Sequence, residues 1–279
     1  MGSSCVDKIM GNANMETKSR AERKYRRLNI FFLMGVFVFS AIIILSIAML
    51  TQSMGEYAQG DEAYAKLRND AAISHGNQSE KTQATEEASS DLPVLNFPQL
   101  LEKNSDFCCW IYQEGTTINY PVVRGDNNEY YLTHLFSGTV NKLGCLFMDY
   151  RNADDFSDEN TVIYGHEMKN NSMFHSIVDY IDPDVYVTRP TMMIYTKNKT
   201  YTLELFAGDI VSGDSQFVEF NFADDDSFMD YVNKLKANST FKSNVEVVPG
   251  DKLVTLVTCT YEFKNARYEL VGKLVSEAK

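Results

Sequence analysis

The longest apolar stretch runs from Leu28 to Leu50, LNIFFLMGVFVFSAIIILSIAML, 23 residues without a charge. As a helix at 1.5 Å per residue it covers roughly 34 Å, enough to cross a hydrocarbon core of about 30 Å. A secretory signal has a shorter apolar core, about 7–15 residues, and then a small-residue cleavage site. Leu50-Thr51-Gln52 offers no such site. The pattern therefore predicts an uncleaved transmembrane anchor over 28–50. Residues 51–91 then turn polar, with Gly, Gln, Ser and Glu dominating near 76–90. Glu56–Ile73 can be helical, but its apolar points, Tyr57, Tyr64 and Leu67, are sparse. The whole of 51–91 reads as a stalk.

From Leu92 to the end the pattern is one of short apolar runs, period two or continuously β-branched, separated by Pro, Gly and Asn/Asp clusters. The predicted strands are Cys109–Tyr112, Thr117–Val123, Gly144–Asp149, Thr161–Tyr164, Val185–Tyr195, Tyr201–Ile210, Val245–Thr258 and Tyr268–Val275. Eight strands in one domain suggest a sandwich or a closed barrel. Three helices interrupt them. One is the short Phe97–Lys103; the others carry i, i+3, i+4, i+7 apolar spacing, at Phe174, Ile177, Val178, Ile181 and at Phe228, Tyr231, Val232, Leu235. The acidic run Asp224-Asp225-Asp226 opens the last of these. It lacks the alternating ligands, central Gly and final Glu of an EF-hand loop, so it reads as a helix cap at the positive end of the dipole.

Charge orients the chain. Residues 1–27 carry seven basic and three acidic side chains, whereas the whole protein has a net charge of −12. Six of the seven basic residues fall between Lys18 and Arg27, just before the apolar run. The positive-inside rule keeps this tail in the cytoplasm and exports the chain beyond residue 50. The acidic balance argues against nucleic acid as the main partner. Four organisational parts result: a basic tail (1–27), an anchor (28–50), a stalk (51–91) and a globular domain (92–279). No CxxC or HExxH spacing suggests a metal.

Four cysteines lie in the exported part. Cys108, Cys109 and Cys145 sit in strand-like runs and read as small core residues, with a Cys108–Cys145 or Cys109–Cys145 bridge left open. Cys259 differs: it ends the apolar run Val254–Thr258 and precedes a polar turn. Eight residues later Arg267 opens the next run, so antiparallel pairing would set the two face to face. A guanidinium there can hold a carbonyl or an oxyanion. A nucleophilic thiol also needs a proton shuttle. His166 supplies one, since it comes after the strand Thr161–Tyr164 and Gly165, ahead of a polar loop. His75 lies in the stalk, His134 comes after a run of tyrosines and His175 falls in an amphipathic helix; each reads as structural.

These motifs, TVIYGH (Thr161–His166), TLVTC (Thr255–Cys259) and the arginine of ARY (Ala266–Tyr268), resemble those of a class B sortase. Ile118–Val123, Tyr130–Leu132 and Leu146–Asn152 look like the same class, as does an inserted helix near Asp226–Lys236 before the last two strands. The resemblance covers about Leu92 to Val275 and the anchored topology. It implies an eight-stranded sortase-like β-barrel with short peripheral helices behind an N-terminal transmembrane helix. It also implies a cysteine transpeptidase on the outer face of a bacterial cell membrane, acting without metal or organic cofactor. Cys259 would attack a Thr carbonyl in a C-terminal sorting signal, His166 would shuttle protons, and Arg267 would hold the carbonyl oxygen. The acceptor would be an amine of the peptidoglycan precursor or of a pilin. Family groove positions fall on Asn128, Leu132, Ser212, Phe217, Val218 and Thr258. Phe217 stands where well-known members have Tyr, and Val257 where Ser is common. Two rival readings are a cysteine hydrolase and a catalytically silent, membrane-anchored binding domain.

Overall fold

The computed structural model describes residues 3–71, 95–214 and 218–276, without the side chains of 3–23, 26–28 and 30. His75, Phe217 and the expected domain start at Leu92 lie outside the described residues. The chain divides into two units, Met1–Gly55 and Glu56–Lys279.

The first unit is the leading part of helix α1 (Ser3–Ala71). Among the described residues this is the one helix long and apolar enough to cross a membrane, and none of its apolar window is buried. Its two central hydroxyls do not break the apolar surface. Ser40 Oγ donates to Val36 O and Ser46 Oγ to Ile42 O, both at 2.8 Å, so neither polar group is left unpaired.

In the second unit eight strands close a barrel: β1 (Phe107–Tyr112), β2 (Asn119–Val123), β3 (Leu146–Met148), β4 (Asn160–Tyr164), β5 (Thr191–Thr196), β6 (Thr200–Ser212), β7 (Leu253–Cys259) and β8 (Ala266–Ser276). Their order around the barrel is β1-β2-β3-β4-β7-β8-β6-β5, with β5 pairing back onto β1. All neighbours are antiparallel except β2–β3 and β4–β7. Parallel neighbours need long connections; the one from β4 to β7 carries β5 and β6.

Two expected strands are shorter than their apolar runs. The run Val185–Tyr195 is not one strand, because its first part is helix α4 (Pro183–Thr188). The Asp182 side chain accepts from Asp184 N and Pro183 occupies the first turn, where it lacks only an N–H that no helical carbonyl would take. Pro190 then separates α4 from β5. In the run Val245–Thr258 only β7 forms. Pro249 and Gly250, at φ +91°, turn the chain before it. The helix expected around Phe174–Ile181 is a single turn, α3 (His175–Val178), running into a 3₁₀ turn (Asp179–Ile181).

The other helices agree with their patterns. Helix α2 (Phe97–Lys103) is capped by Asn96, and helix α5 (Asp225–Asn238) buries Phe228, Tyr231, Val232 and Leu235. Asp224 and Ser227 cap α5 reciprocally: Ser227 N donates to Asp224 Oδ1 at 2.8 Å, and Asp224 N to Ser227 Oγ at 3.1 Å. The acidic run is a cap.

Residues Glu56–Ala71, expected to be stalk, are packed into the globular unit. Tyr64, Leu67 and Ala71 are core residues. Tyr64 Oη donates to Gly144 O at 2.6 Å, and its ring meets that of Tyr120 edge-on at 5.2 Å. Asn141 Nδ2 donates to Glu56 O at 3.0 Å.

Candidate active site

The parallel register of β4 and β7 brings the thiol and the imidazole together. Tyr164 pairs with Val257, two residues before His166 and Cys259 respectively. The ladder continues past the strand end, because Gly165 N donates to Val257 O at 3.1 Å and Thr258 Oγ1 donates to Gly165 O at 2.7 Å. The two chains thus leave the barrel side by side. Gly165 is required by space: a Cβ there would run into Leu146 and Phe174. On the other side of β7, Cys259 pairs directly with Arg267 across the antiparallel β7–β8 ladder. One barrel rim therefore carries His166, Cys259 and Arg267 in that order, all half-buried.

His166 and Arg267 are held by their surroundings. His166 Nε2 lies 2.7 Å from Leu132 O. A carbonyl only accepts, so Nε2 carries a proton while that bond stands. The Arg267 guanidinium donates to Ala266 O at 3.0 Å, and the backbone at Gly213 passes close beside it. Among the described residues the other guanidine N–H groups take no hydrogen bond that would keep them from a ligand.

Cys108, Cys109 and Cys145 are free thiols, unbridged. Cys109 and Cys145 are fully buried, and burial pushes both up, Cys145 to about 12. A thiol that keeps its proton is a poor nucleophile. The other described histidines are occupied. His134 stacks on Tyr130 with ring centroids 3.9 Å apart and has Nδ1 2.7 Å from Tyr130 O. His175 Nδ1 lies 2.7 Å from Glu167 Oε1.

The candidate groove residues divide into two groups. Leu132 is exposed; Asn128 and Ser212 are half-buried. Val218 and Thr258 are buried instead. Val218 packs with Val162 and Val257, and the Thr258 hydroxyl is spent on Gly165 O. Beside this site lies a network that the sequence motifs do not reveal. Asp149, fully buried, accepts from Asn128, Tyr164 and Arg151. Burial alone would push its carboxyl up, but Arg151 and Asn128 hold it below the ordinary value. The available signal was a carboxylate closing the apolar run LFM with an arginine two residues on.

A family model for the sortase domain matches residues 111–275. The chain is 37% identical over 180 residues to sortase B of Listeria monocytogenes, covering 64% of this chain and 73% of that one. Among solved structures it is similar to the Staphylococcus aureus sortase B–substrate complex, with a TM-score of 0.62 at 29% identity, covering 65% of this chain and 85% of the other. It is equally similar to a sortase B complexed with triglycine, with a TM-score of 0.62 at 29% identity, covering 65% and 86%.

Proposed function

The chain belongs to the sortase family and is a class B cysteine transpeptidase in kind, and from that premise we propose that it joins a secreted protein to a cell-envelope amine. In this reading the Cys259 thiolate attacks the carbonyl carbon of a Thr in a C-terminal sorting signal. The tetrahedral oxyanion forms beside Arg267, whose planar fork can donate to it. The intermediate collapses as the peptide C–N bond breaks. His166, as the imidazolium partner of the thiolate, gives one proton to the departing amine, and a thioester remains on Cys259. An incoming amine attacks that thioester and loses a proton to His166. The second collapse frees the product and regenerates the thiolate. The observation that carries the reading is the register: Tyr164 against Val257 and Cys259 against Arg267 leave the three groups adjacent on one rim.

Asn128, Leu132 and Ser212 are the groove residues with accessible surface, and the buried Val218 and Thr258 support the wall from within. The acceptor is an amine of the peptidoglycan precursor or of a pilin lysine. The basic tail stays cytoplasmic, residues 28–50 cross the membrane, and the barrel works outside.

The test uses the full chain in detergent, a panel of quenched fluorescent sorting peptides, and triglycine or hydroxylamine as acceptor. Triglycine is the first choice because one sortase B structure is a complex with it. The expected result is peptide cleavage accelerated by the amine, with a joined product in the mass spectrum. Cleavage indifferent to amine would make the protein a hydrolase. No cleavage of any peptide would favour a silent binding domain.

A further inference from the structure

Asp149 comes directly after β3 and has no exposed surface. Its two oxygens take five hydrogen bonds. Oδ2 accepts from Asn128 Nδ2 at 2.8 Å, Tyr164 Oη at 3.1 Å and an Arg151 terminal nitrogen at 2.8 Å. Oδ1 accepts from Arg151 Nε at 2.8 Å and Arg151 N at 3.0 Å. The arginine is thus gripped by a two-pronged contact that also fixes the plane of its guanidinium. That plane has a second use: Arg151 Cζ stands 4.2 Å from the centre of the Phe220 ring, within cation–π range. Asn128 is fixed at both ends of its amide, because Tyr150 N donates to Asn128 Oδ1 at 3.1 Å.

One carboxylate therefore ties together three segments that are remote in sequence. The first is the loop carrying Asn128. The second is β4, whose Tyr164 lies two residues before His166. The third is the connection after β6, held through Phe220, which itself packs beside Val218, Val162 and Val257. A buried anion satisfied this fully is expensive to replace, and one of its partners, Asn128, is a candidate groove residue. We infer that Asp149, acting through Arg151 and Asn128, is a positioning residue that sets the shape of the wall receiving the sorting peptide, without taking part in the thiol chemistry. The inference rests on the proposed groove running past Asn128.

The experiment compares the full-length protein in detergent with four variants: Asp149→Asn, Arg151→Ala, Arg151→Lys and Asn128→Ala. It measures kcat and KM for the best peptide with saturating hydroxylamine, and the rate at which a methanethiosulfonate labels Cys259. Asp149→Asn and Arg151→Ala are expected to raise KM about tenfold and to keep kcat within about threefold. The labelling rate should stay unchanged. Arg151→Lys should not rescue KM, because an ammonium has neither the fork nor the plane. Arg151 is half-exposed, so its variants remain decisive if Asp149→Asn does not fold. Unchanged KM in folded Arg151→Ala overturns the inference, as does a fall in kcat or in thiol labelling with KM intact. If Asn128→Ala raises KM and the Asp149 and Arg151 variants do not, the groove stands and the role of Asp149 falls. If Asn128→Ala also has normal KM, the groove reading itself has failed, and the inference with it.

Discussion

At the scale of single residues, four thiols share one domain, and their settings separate them. Cys259 sits half-buried on the rim, Cys108 is half-buried but directed at Val122 O, and Cys109 and Cys145 are sealed in the core with their pKa pushed up. A charged methanethiosulfonate should label Cys259 first, Cys259→Ala should abolish acyl transfer, and Cys145→Ala should retain it; peptide mass mapping and turnover check both. A tenth of the wild-type rate in Cys259→Ala would rule out the covalent route. Arg267 offers a second test. Loss of an oxyanion donor typically costs about 10²–10³ in rate. Arg267→Lys should then be nearly as slow as Arg267→Ala, with an unchanged circular dichroism spectrum. A near-wild-type Arg267→Lys would make the residue a surface charge. Glu269, two residues further along β8, is a different case. It is 2% exposed, and its Oε2 has no hydrogen-bond partner among the described residues. Burial, with the charge of Asp209 added and that of Lys234 opposing, pushes its carboxyl up to about 8. The folded chain then holds this proton up to about pH 8, whereas the unfolded chain releases it above its ordinary value of 4.5. The stability it contributes is complete below that ordinary value and is lost as pH rises towards 8, by up to about 1.4 kcal/mol per unit. Denaturant midpoints should fall across that window, and Glu269→Gln should flatten the fall. Parallel curves for the two proteins would refute this.

At the scale of elements, the strands that deliver the site were legible because their apolar runs end in chemically distinct residues. YGH closes β4, VTC closes β7 and AR opens β8, so the ends of the runs marked the rim. The ends without chemistry misled. In Val185–Tyr195 a capping Asp182 and Pro183 convert a β-branched run into a helical turn, and in Val245–Thr258 the Pro249-Gly250 turn removes the first half. The Asp149 network escaped for another reason: three of its members are ordinary polar residues far apart in sequence, and only closure of the barrel makes them neighbours. Residues 56–71 escaped because Gly60, Tyr64, Leu67 and Ala71 make a narrow stripe in a polar helix. Gly60 counts as part of that stripe, since a Cβ there would press on Leu143. That stripe carries a prediction. Burial of Tyr64, Leu67 and Ala71 is worth about 3–6 kcal/mol, so a chain begun at residue 92 should unfold at distinctly lower urea than one begun at residue 56. Equal midpoints would show that the segment adds nothing. Tyr64→Phe isolates one contact: it leaves Gly144 O without its donor and should cost about 1–3 kcal/mol.

At the scale of the whole molecule, the basic tail and the apolar helix predict which side of the membrane the barrel occupies. Protease added to intact protoplasts should digest the globular part and spare the tail, as read by antibodies to each end. A protected C-terminal domain would reverse the assignment. The barrel's wiring also bears on when activity begins. His166 lies just beyond a strand whose partner, β7, comes some ninety residues later, whereas Cys259 and Arg267 face each other across one short hairpin. Pairings of such long range close late, after the local hairpins have formed. Cys259 then meets Arg267 within a hairpin, and His166 reaches them only when β4 pairs with β7. In the proposed mechanism a copy still folding therefore lacks the proton shuttle for its thiol, and closing the barrel between β4 and β7 is what arms it.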